Sequence, residues 1–549
     1  MSPEKYPNSN QKLFSYAAIL AVVLVSWGGV LLVPFINDDY QILGYHASKD
    51  LSNVFAPFWQ KDISSFYWRP LGNMIHPFML NICGFNAVCF RIASLLFYSV
   101  CCIVFYHLAK RMIHSPKAAL FAALFFAAAP SHELQVAWIA DQGESLVTIF
   151  LMLSFIFYVR VTDSSRTSVT GYLPALVFLL LAILVKESAF AGIFIPVVCL
   201  AGRGEYSRGK IYRAILHSCA GVLLLCLVLL YRYFVIGGTP FSSEHFSQGG
   251  GVLRYLMNLF IYIPLTVFPP EALSSAAAFF MQHKWLTAIF LIGCVLIAAL
   301  LLFRIINRRR QGNSSFSYAA AKYAGAIFWF LVFISPALPN VMRWYAFTAS
   351  AGIFWLAGII ISRIRSVKTY YALLAIIILV SVYNINVMTR WIENGRRMDG
   401  IVTSLAALKN VSPGDTIYVW GIPDKVNRIP LMKLGVNETF EHATGSSNLQ
   451  VISPVRSEFS GDEFSIRPEG LNDSLLVLVS RGGRFISRGE KPVYFPADDM
   501  DKKYESEGAE YRISSSAGEN RSSLSVTNFR RLSGYRQLYF NGTAFEEIR

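Results

Sequence analysis

Asp38 and Asp39 stand side by side where the first long apolar run of the chain, Leu13 to Ile36, comes to its end. Adjacent acids at the mouth of an apolar segment repel one another and are costly to dehydrate, so one of them needs a proton or a cationic partner. The plain reading is a solvated pair that stops the segment at the interface; the chemical reading is a general base facing the compartment outside the membrane. Trp68 and Arg69 precede Pro70, a residue suited to the first turn of a helix, and His76 follows on that helix. Alone, Trp68 and Arg69 read as an interfacial aromatic with a snorkelling cation. The segment Ser131 to Glu144 then concentrates His132, Glu133, Asp141 and Glu144 between two apolar runs, and Asp141 and Glu144 are spaced to share a helix face. Lys186 and Glu187 interrupt the apolar stretch from Leu173 to Leu200, either as a self-neutralising pair or as working charges at membrane depth. Last, Arg343, Trp344 and Tyr345 occupy a tight turn after Pro336 and Pro339.

These residue types suggest one reaction. Lys186 and Arg343 suit a phosphate, Arg supplying a bidentate fork and Lys a point charge. A carboxylate would deprotonate an acceptor hydroxyl or amine, and the cations would stabilise a membrane-anchored phosphate as it leaves. Cytoplasmic nucleotide chemistry would need a glycine-rich phosphate loop after a strand, and the sequence has none.

The elements that must position these residues are membrane helices. Of 549 residues, 54% are hydrophobic and 15% charged, against about 25% charged in an ordinary soluble domain. A wholly soluble globule is excluded. The net charge of +15 is unevenly placed: residues 1–389 carry 28 basic and 13 acidic side chains, whereas 390–549 carry 21 of each. The polar tail has no Lys/Arg run longer than a pair, so nucleic acid is not an expected partner; basic residues between apolar runs are instead the mark of cytoplasmic loops.

Apolar runs near 13–36, 87–108, 117–130, 145–161, 171–185, 188–201, 213–236, 285–306, 320–338, 344–362 and 369–389 predict 11 crossings, or 13 if 237–284 forms a hairpin. With the N-terminus cytoplasmic, the alternate loops hold 19 of the 28 basic residues, and the opposite segments hold 10 of the 13 acids. The first run lacks a small-residue cleavage site and reads as an anchor. An odd number of crossings puts the tail opposite the N-terminus, which in a bacterium is the periplasm. The expected fold is a membrane all-α bundle over 1–390 with external segments 37–86, 131–144 and 237–284, the last carrying a re-entrant or surface helix around Pro264. A soluble periplasmic domain follows over 391–549. A linking helix from Trp391 to Lys409 and β-type runs at Thr416–Trp420, Ser474–Ser480, Pro492–Phe495, Tyr511–Ser514 and Gln537–Phe540 predict an α/β or mostly β fold for it. All eight cysteines precede residue 390 and read as small core residues.

Taken in order, Asp38-Asp39, Tyr67-Trp68-Arg69-Pro70-Leu71, Ala137-Trp138-Ile139 with Glu144, Leu184-Val185-Lys186-Glu187 with Pro196, and Arg343-Trp344-Tyr345 resemble the GT-C superfamily of integral membrane glycosyltransferases. The resemblance is to the branch of the protein O-mannosyltransferases, aminoarabinose lipid A transferases and tetratricopeptide-bearing mannosyltransferases, and it covers about residues 13–390. It implies an inverting transfer of a sugar from a polyprenyl-phosphate-linked donor to an envelope glycan, lipid or protein acceptor, on the periplasmic side of a bacterial inner membrane. It further implies Asp38 as catalytic base with Asp39 in support, and Glu144 as a second acid with Asp141 the competing alignment. Lys186 would meet the donor phosphate, Arg343 and Tyr345 would form the late external pair, and Arg69, Trp68 and His76 would be further substrate contacts. Two features depart from the pattern: Asp39 stands where Glu is often found, and the tail shows neither a tetratricopeptide period nor a β-trefoil signature. These bear on the acceptor more than on the reaction.

Two other classes share part of the pattern. A transporter or flippase would use Asp38, Glu144 and Lys186 as ion relays, but it calls for inverted repeats with broken helices, and no such symmetry is visible. An O-antigen ligase-type protein would carry its large soluble piece between late crossings, whereas here it is C-terminal. The sequence leaves the sugar, the acceptor and a divalent metal open.

Overall fold

The computed structural model describes residues 9–47, 54–59, 68–163, 169–204, 206–237, 252–268, 314–339, 341–427, 429–459, 464–472, 475–487, 504–507, 512–518, 521–527 and 535–548. Its helices are α1 (Ser9–Trp27), α2 (Asp39–Ala47), α3 (Pro70–Cys83), α4 (Ala87–Ile113), α5 (Pro116–Ala128), α6 (Glu133–Ala137), α7 (Gln142–Asp163), α8 (Leu173–Val185), α9 (Ile195–Arg203), α10 (Arg208–Ile236), α11 (Val252–Leu265), α12 (Ser314–Ile334), α13 (Ala346–Ile361), α14 (Val367–Ala406) and α15 (Val436–Thr444).

Among the described residues, 6 helical spans are long and apolar enough to cross a bilayer: Asn10–Leu32, Ala87–Ile113, Ile139–Asp163, Arg208–Val235, Arg343–Ile361 and Val367–Ala406. The bent pair Pro116–Ala128 and Pro130–Ala137 makes a seventh if it is one span, and Thr170–Val185 and Ala321–Ala337 are shorter apolar helices. The chain is a multi-pass membrane protein. Leu223 and Leu227 on α10 and Ile378 and Leu379 on α14 stay exposed, as a lipid-facing surface requires. The run expected to cross over 188–201 is instead a 3-10 helix, Glu187–Phe194, that leads into α9. Pro196 has no N–H to bond back into the preceding turn and sits in the first turn of α9, where that loss costs least, so it favours a helix start at this point. The stretch around Pro264 forms α11, whose 14 residues rise about 21 Å, short of a bilayer core. The expected crossing at 285–306 and strand at Pro492–Phe495 lie outside the described residues, as does Tyr67.

The chain divides into two compact units: Met1–Gly28, Asn53–Phe78 and Arg91–Val387 form the first, and Gly29–Ser52, Met79–Phe90 and Met388–Arg549 the second. Instead of a single cut near residue 390, the Asp38 segment groups with the C-terminal chain.

In the first unit, the bend after α5 frees backbone carbonyls that side chains then satisfy. Trp27 Nε1 donates to Ala127 O at 2.8 Å, Asn384 Nδ2 to Ala128 O at 2.8 Å, and Tyr98 Oη to Phe126 O at 3.0 Å. An unpaired carbonyl is costly in an apolar interior, so these three polar side chains are the condition for the bend that delivers α6 and the Ile139–Asp141 turn.

In the second unit, β1 (Thr416–Val426) lies between β10 (Arg536–Phe540) and β3 (Gln450–Phe459), parallel to both. β11 (Phe545–Glu547), β6 (Gly483–Ser487) and the short β2 (Ile429–Pro430) complete this mixed sheet. β4 (Ser465–Asn472), β5 (Leu475–Arg481), β9 (Arg521–Thr527), β8 (Arg512–Gly518) and β7 (Tyr504–Glu507) form a second, antiparallel sheet in that order. The tail is α/β, with α15 beside α2. Its linking helix is the end of the 40-residue α14, continuous with the last crossing. Cysteine usage differs from the expectation of core residues throughout. Cys101, Cys102 and Cys199 are buried, but Cys219 and Cys226 are exposed, and Cys83 and Cys89 form a disulfide across the turn between α3 and α4.

Candidate functional site

Charged residues of the membrane helices converge in the first unit. α8 stops at Val185, and Lys186 leaves it in an extended conformation, φ −162° and ψ 148°. Its Nζ pairs with Glu144 Oε1 and lies 3.9 Å from Asp141 Oδ1. Glu144 is in the first turn of α7 and Asp141 ends the 3-10 turn before it, where a helix N-terminus favours negative charge. The Lys186 side chain is 8% exposed, and those of Asp141 and Glu144 are 2% and 1%. Gln135 Nε2 donates to Asp141 Oδ2 at 2.6 Å. The Lys186 ammonium also lies 4.8 Å from the Tyr345 ring centroid, a cation–π contact. Burial pushes the Lys186 pKa down, but the Glu144 and Asp141 carboxylates more than offset this and the net shift is upward. The lysine stays charged.

Glu187 does not neutralise its neighbour. It takes the Arg69 guanidinium instead, with Nε at 2.8 Å from Oε2. Arg69 stands just before α3, and Gly72 lets that helix approach the end of α8: a Cβ there would lie 2.7 Å from Val185 O. Arg343 pairs with Glu133. The turn ahead of Arg343 is pinned by α11, since Met342 N donates to Tyr262 Oη at 2.8 Å and Asn258 Nδ2 donates to Leu338 O at 2.7 Å. Trp344 meets Trp138 edge to face, with ring centroids 5.3 Å apart. His76 Nε2 lies 3.4 Å from Ile139 O, and burial lowers its pKa to about 4, so the imidazole is neutral at pH 7. Trp68 packs beside Tyr231.

Lys186, Arg69 and Arg343 thus each hold at least one carboxylate, against Glu133, Asp141, Glu144 and Glu187. Lys186 is enclosed, whereas the Arg69 and Arg343 side chains are 24% and 31% exposed. Glu133 and Gln135 enter this cluster without having been picked out as site residues; their place in the same acid-rich loop was the available signal.

Asp38 and Asp39 belong to the second unit. Ile36 N donates to Asp39 Oδ2 at 3.1 Å and Asp39 N to Ile36 O at 3.1 Å, a reciprocal closure of the turn that leads into α2. Asp39 is fully buried. Asp38 is 6% exposed, and its Oδ1 accepts from Asn37 Nδ2 at 2.9 Å. Tyr40 packs against Phe35 and His442. Burial, aided by Asp399 and Asp39, pushes the Tyr40 phenol pKa up and keeps it protonated. Among the described residues, no group of three or more His, Cys, Asp or Glu is placed to hold a metal ion.

Residues 69–231 match the family model described as dolichyl-phosphate-mannose-protein mannosyltransferase, a window that contains Arg69, Asp141, Glu144, Lys186 and Glu187. No curated protein sequence matches the chain. Among solved structures, the chain is similar to apo ArnT from Cupriavidus metallidurans, at 14% identity over 81% of this chain and 86% of that one, with a TM-score of 0.49. It is likewise similar to the same protein bound to undecaprenyl phosphate, at 15% identity, the same coverage and a TM-score of 0.46. A third similar structure is the oligosaccharyltransferase AglB from Archaeoglobus fulgidus with an inhibitory peptide and a dolichol-phosphate, at 11% identity over 81% and 65% of the two chains, with a TM-score of 0.43.

Proposed function

We propose that this chain is a membrane glycosyltransferase of the GT-C superfamily that moves a sugar from a polyprenyl-phosphate-linked donor to an envelope glycan, lipid or protein acceptor on the periplasmic face of a bacterial inner membrane. The observation that carries this reading is the position of Lys186, between Glu144 and Asp141 inside the window that matches the mannosyltransferase family. Asp38 takes the proton of an acceptor hydroxyl or amine. The freed acceptor atom attacks the anomeric carbon of the sugar, and the bond from that carbon to the donor phosphate oxygen breaks. A single displacement inverts configuration at the anomeric carbon. The lipid phosphate leaves with the electron pair, and its charge is met by Arg69, Arg343 and Lys186, each of which exchanges a carboxylate contact for it. Trp68, His76 and Tyr345, the last against the Lys186 ammonium, shape the donor site.

The outer-face assignment is supported by the excess of basic residues in the alternate loops and by the Cys83–Cys89 disulfide, a bond that persists in oxidising compartments.

The test is glycosyl transfer by purified variants in detergent with a synthetic polyprenyl-phosphate sugar. A general base contributes about 10²- to 10⁴-fold, so Asp38→Asn is expected to lower turnover by that factor while donor affinity stays near wild type. Wild-type turnover in Asp38→Asn would remove the base role from this residue.

A further inference from the structure

We infer that Asn37 is a positioning residue through which the C-terminal chain holds the Asp38 carboxylate, an inference that rests on the proposed base role of Asp38. Asn37 has φ 56°, in the left-handed region that non-glycine residues seldom adopt and Asn tolerates best. It is buried, and each of its polar side-chain atoms has a use. Leu434 N donates to Asn37 Oδ1 at 3.0 Å, which fixes the orientation of the amide and leaves its NH₂ to donate to Asp38 Oδ1 at 2.9 Å. Asn37 N donates in turn to Leu431 O at 2.9 Å.

The partner segment is itself anchored to the mixed sheet. Arg456, on β3, donates to Met432 O at 3.0 Å, Lys433 O at 2.6 Å and Asp424 Oδ1 at 2.6 Å. Leu431 N donates to Asp424 O and Met432 N to Pro423 O, both at 3.0 Å. Gly435 closes the segment at φ 70°, where a Cβ would lie 2.9 Å from Gln41 N and 3.1 Å from Asn37 O. A continuous set of hydrogen bonds therefore runs from Arg456 through residues 431–434 and the Asn37 amide to Asp38. Every link except the last could serve folding alone. The Asn37 NH₂ does more, because it restricts the rotation of the carboxylate that must meet the acceptor.

The experiment uses the full chain in detergent with a synthetic polyprenyl-phosphate sugar. Asn37→Gly tolerates the left-handed backbone and removes only the amide. Asn37→Asp keeps the acceptor for Leu434 N–H but turns an oxygen toward Asp38. Both are expected to lower kcat by about 10- to 100-fold, the usual penalty for a misplaced catalytic group, with donor KM within about twofold of wild type. In an Asp38→Asn background, Asn37→Gly is expected to add no further loss, since the group it positions is already gone. Wild-type kcat in Asn37→Gly, or losses that multiply in the double variant, overturns the inference while a large Asp38→Asn effect leaves the base role standing. Wild-type turnover in Asp38→Asn overturns both. If Asn37→Gly does not fold, Asn37→Asp in both backgrounds reads the same quantities.

Discussion

Asp141 and Glu144, in the first unit, face a lysine, whereas Asp38 and Asp39, in the second, take hydrogen bonds from neutral groups of their own turn, the Asn37 amide and the Ile36 N–H. The two arrangements suit different work. An acid held against an ammonium in a poorly solvated site is tied to that partner, because removing either group strands the other. Such a site suits the exchange of one anion for another at the ammonium. A carboxylate that accepts from a side-chain amide is fixed in direction, which is what a base aimed at an acceptor requires. On the proposed reading, Asp38 does the acid–base work and Lys186 the phosphate work.

The largest expected effect comes from breaking the charged setting. Lys186→Ala leaves Asp141 and Glu144 buried without their ammonium, and losing one partner of a buried pair costs about 3–5 kcal/mol. The thermal midpoint of the detergent-solubilised protein should fall, and the donor KM should rise because the leaving-group cation is gone. Adding Glu144→Gln should recover much of the stability, since it removes the stranded charge, without recovering donor use. A Lys186→Ala protein with an unchanged midpoint would mean that the acids are solvated and that the contrast with Asp38 and Asp39 does not exist.

Which residues would meet was legible from the sequence only in part. Asp141, Glu144, Lys186, Arg69 and Arg343 were all identifiable as charges at the ends of apolar runs. Their partners were not: Lys186 adjoins Glu187 in sequence, yet the extended backbone at Lys186 directs the two side chains to different partners, Glu144 and Arg69. Adjacency is a poor guide wherever a helix stops between the residues. The tail was read as α/β or mostly β, but β3 and β4 were missed because Pro454 and Pro468 and several serines interrupt their apolar alternation. The disulfide was missed because Cys83 and Cys89 lie six positions apart, and only the tight turn after α3 brings them together. The link between Asn37 and residues 431–434 spans nearly 400 positions and had no local signal at all.

A smaller effect is expected from the neutral setting. Asp39 is fully buried and spends Oδ2 on the Ile36 N–H, so its role there resembles a helix cap. Asp39→Asn can still accept that bond and should lower turnover by less than about tenfold, well short of the Asp38→Asn loss. Asp39→Ala cannot, and losing a cap-type bond costs about 1–2 kcal/mol. Circular dichroism melts and turnover on the same samples separate the two roles. An Asp39→Asn loss as large as that of Asp38→Asn would show that the pair acts as one titrating unit.

The smallest expected effect concerns an imidazole of the first unit, His76, which lies against the Ile139 carbonyl. His76 has its pKa lowered to about 4 from an ordinary 6.5 by burial. The sign follows from which state binds more protons. Below pH 6.5 the unfolded chain protonates this imidazole and the folded chain does not, so the stability present above pH 6.5 is lost progressively as the pH falls toward 4. Between pH 7.5 and 5.5, where carboxylates stay ionised, the loss from this one residue should be about 1 kcal/mol, allowing for its partial exposure. His76→Gln keeps a donor for the Ile139 carbonyl but does not titrate, so its melting midpoint should fall less over that interval than the wild type's. His442, stacked on Phe85 in the second unit, also has a pKa lowered by burial. His442→Gln should flatten the same profile if the two units unfold as one, and leave the first transition untouched if they unfold separately. Identical pH slopes in wild type and His76→Gln would mean that the imidazole is open to water in the folded protein.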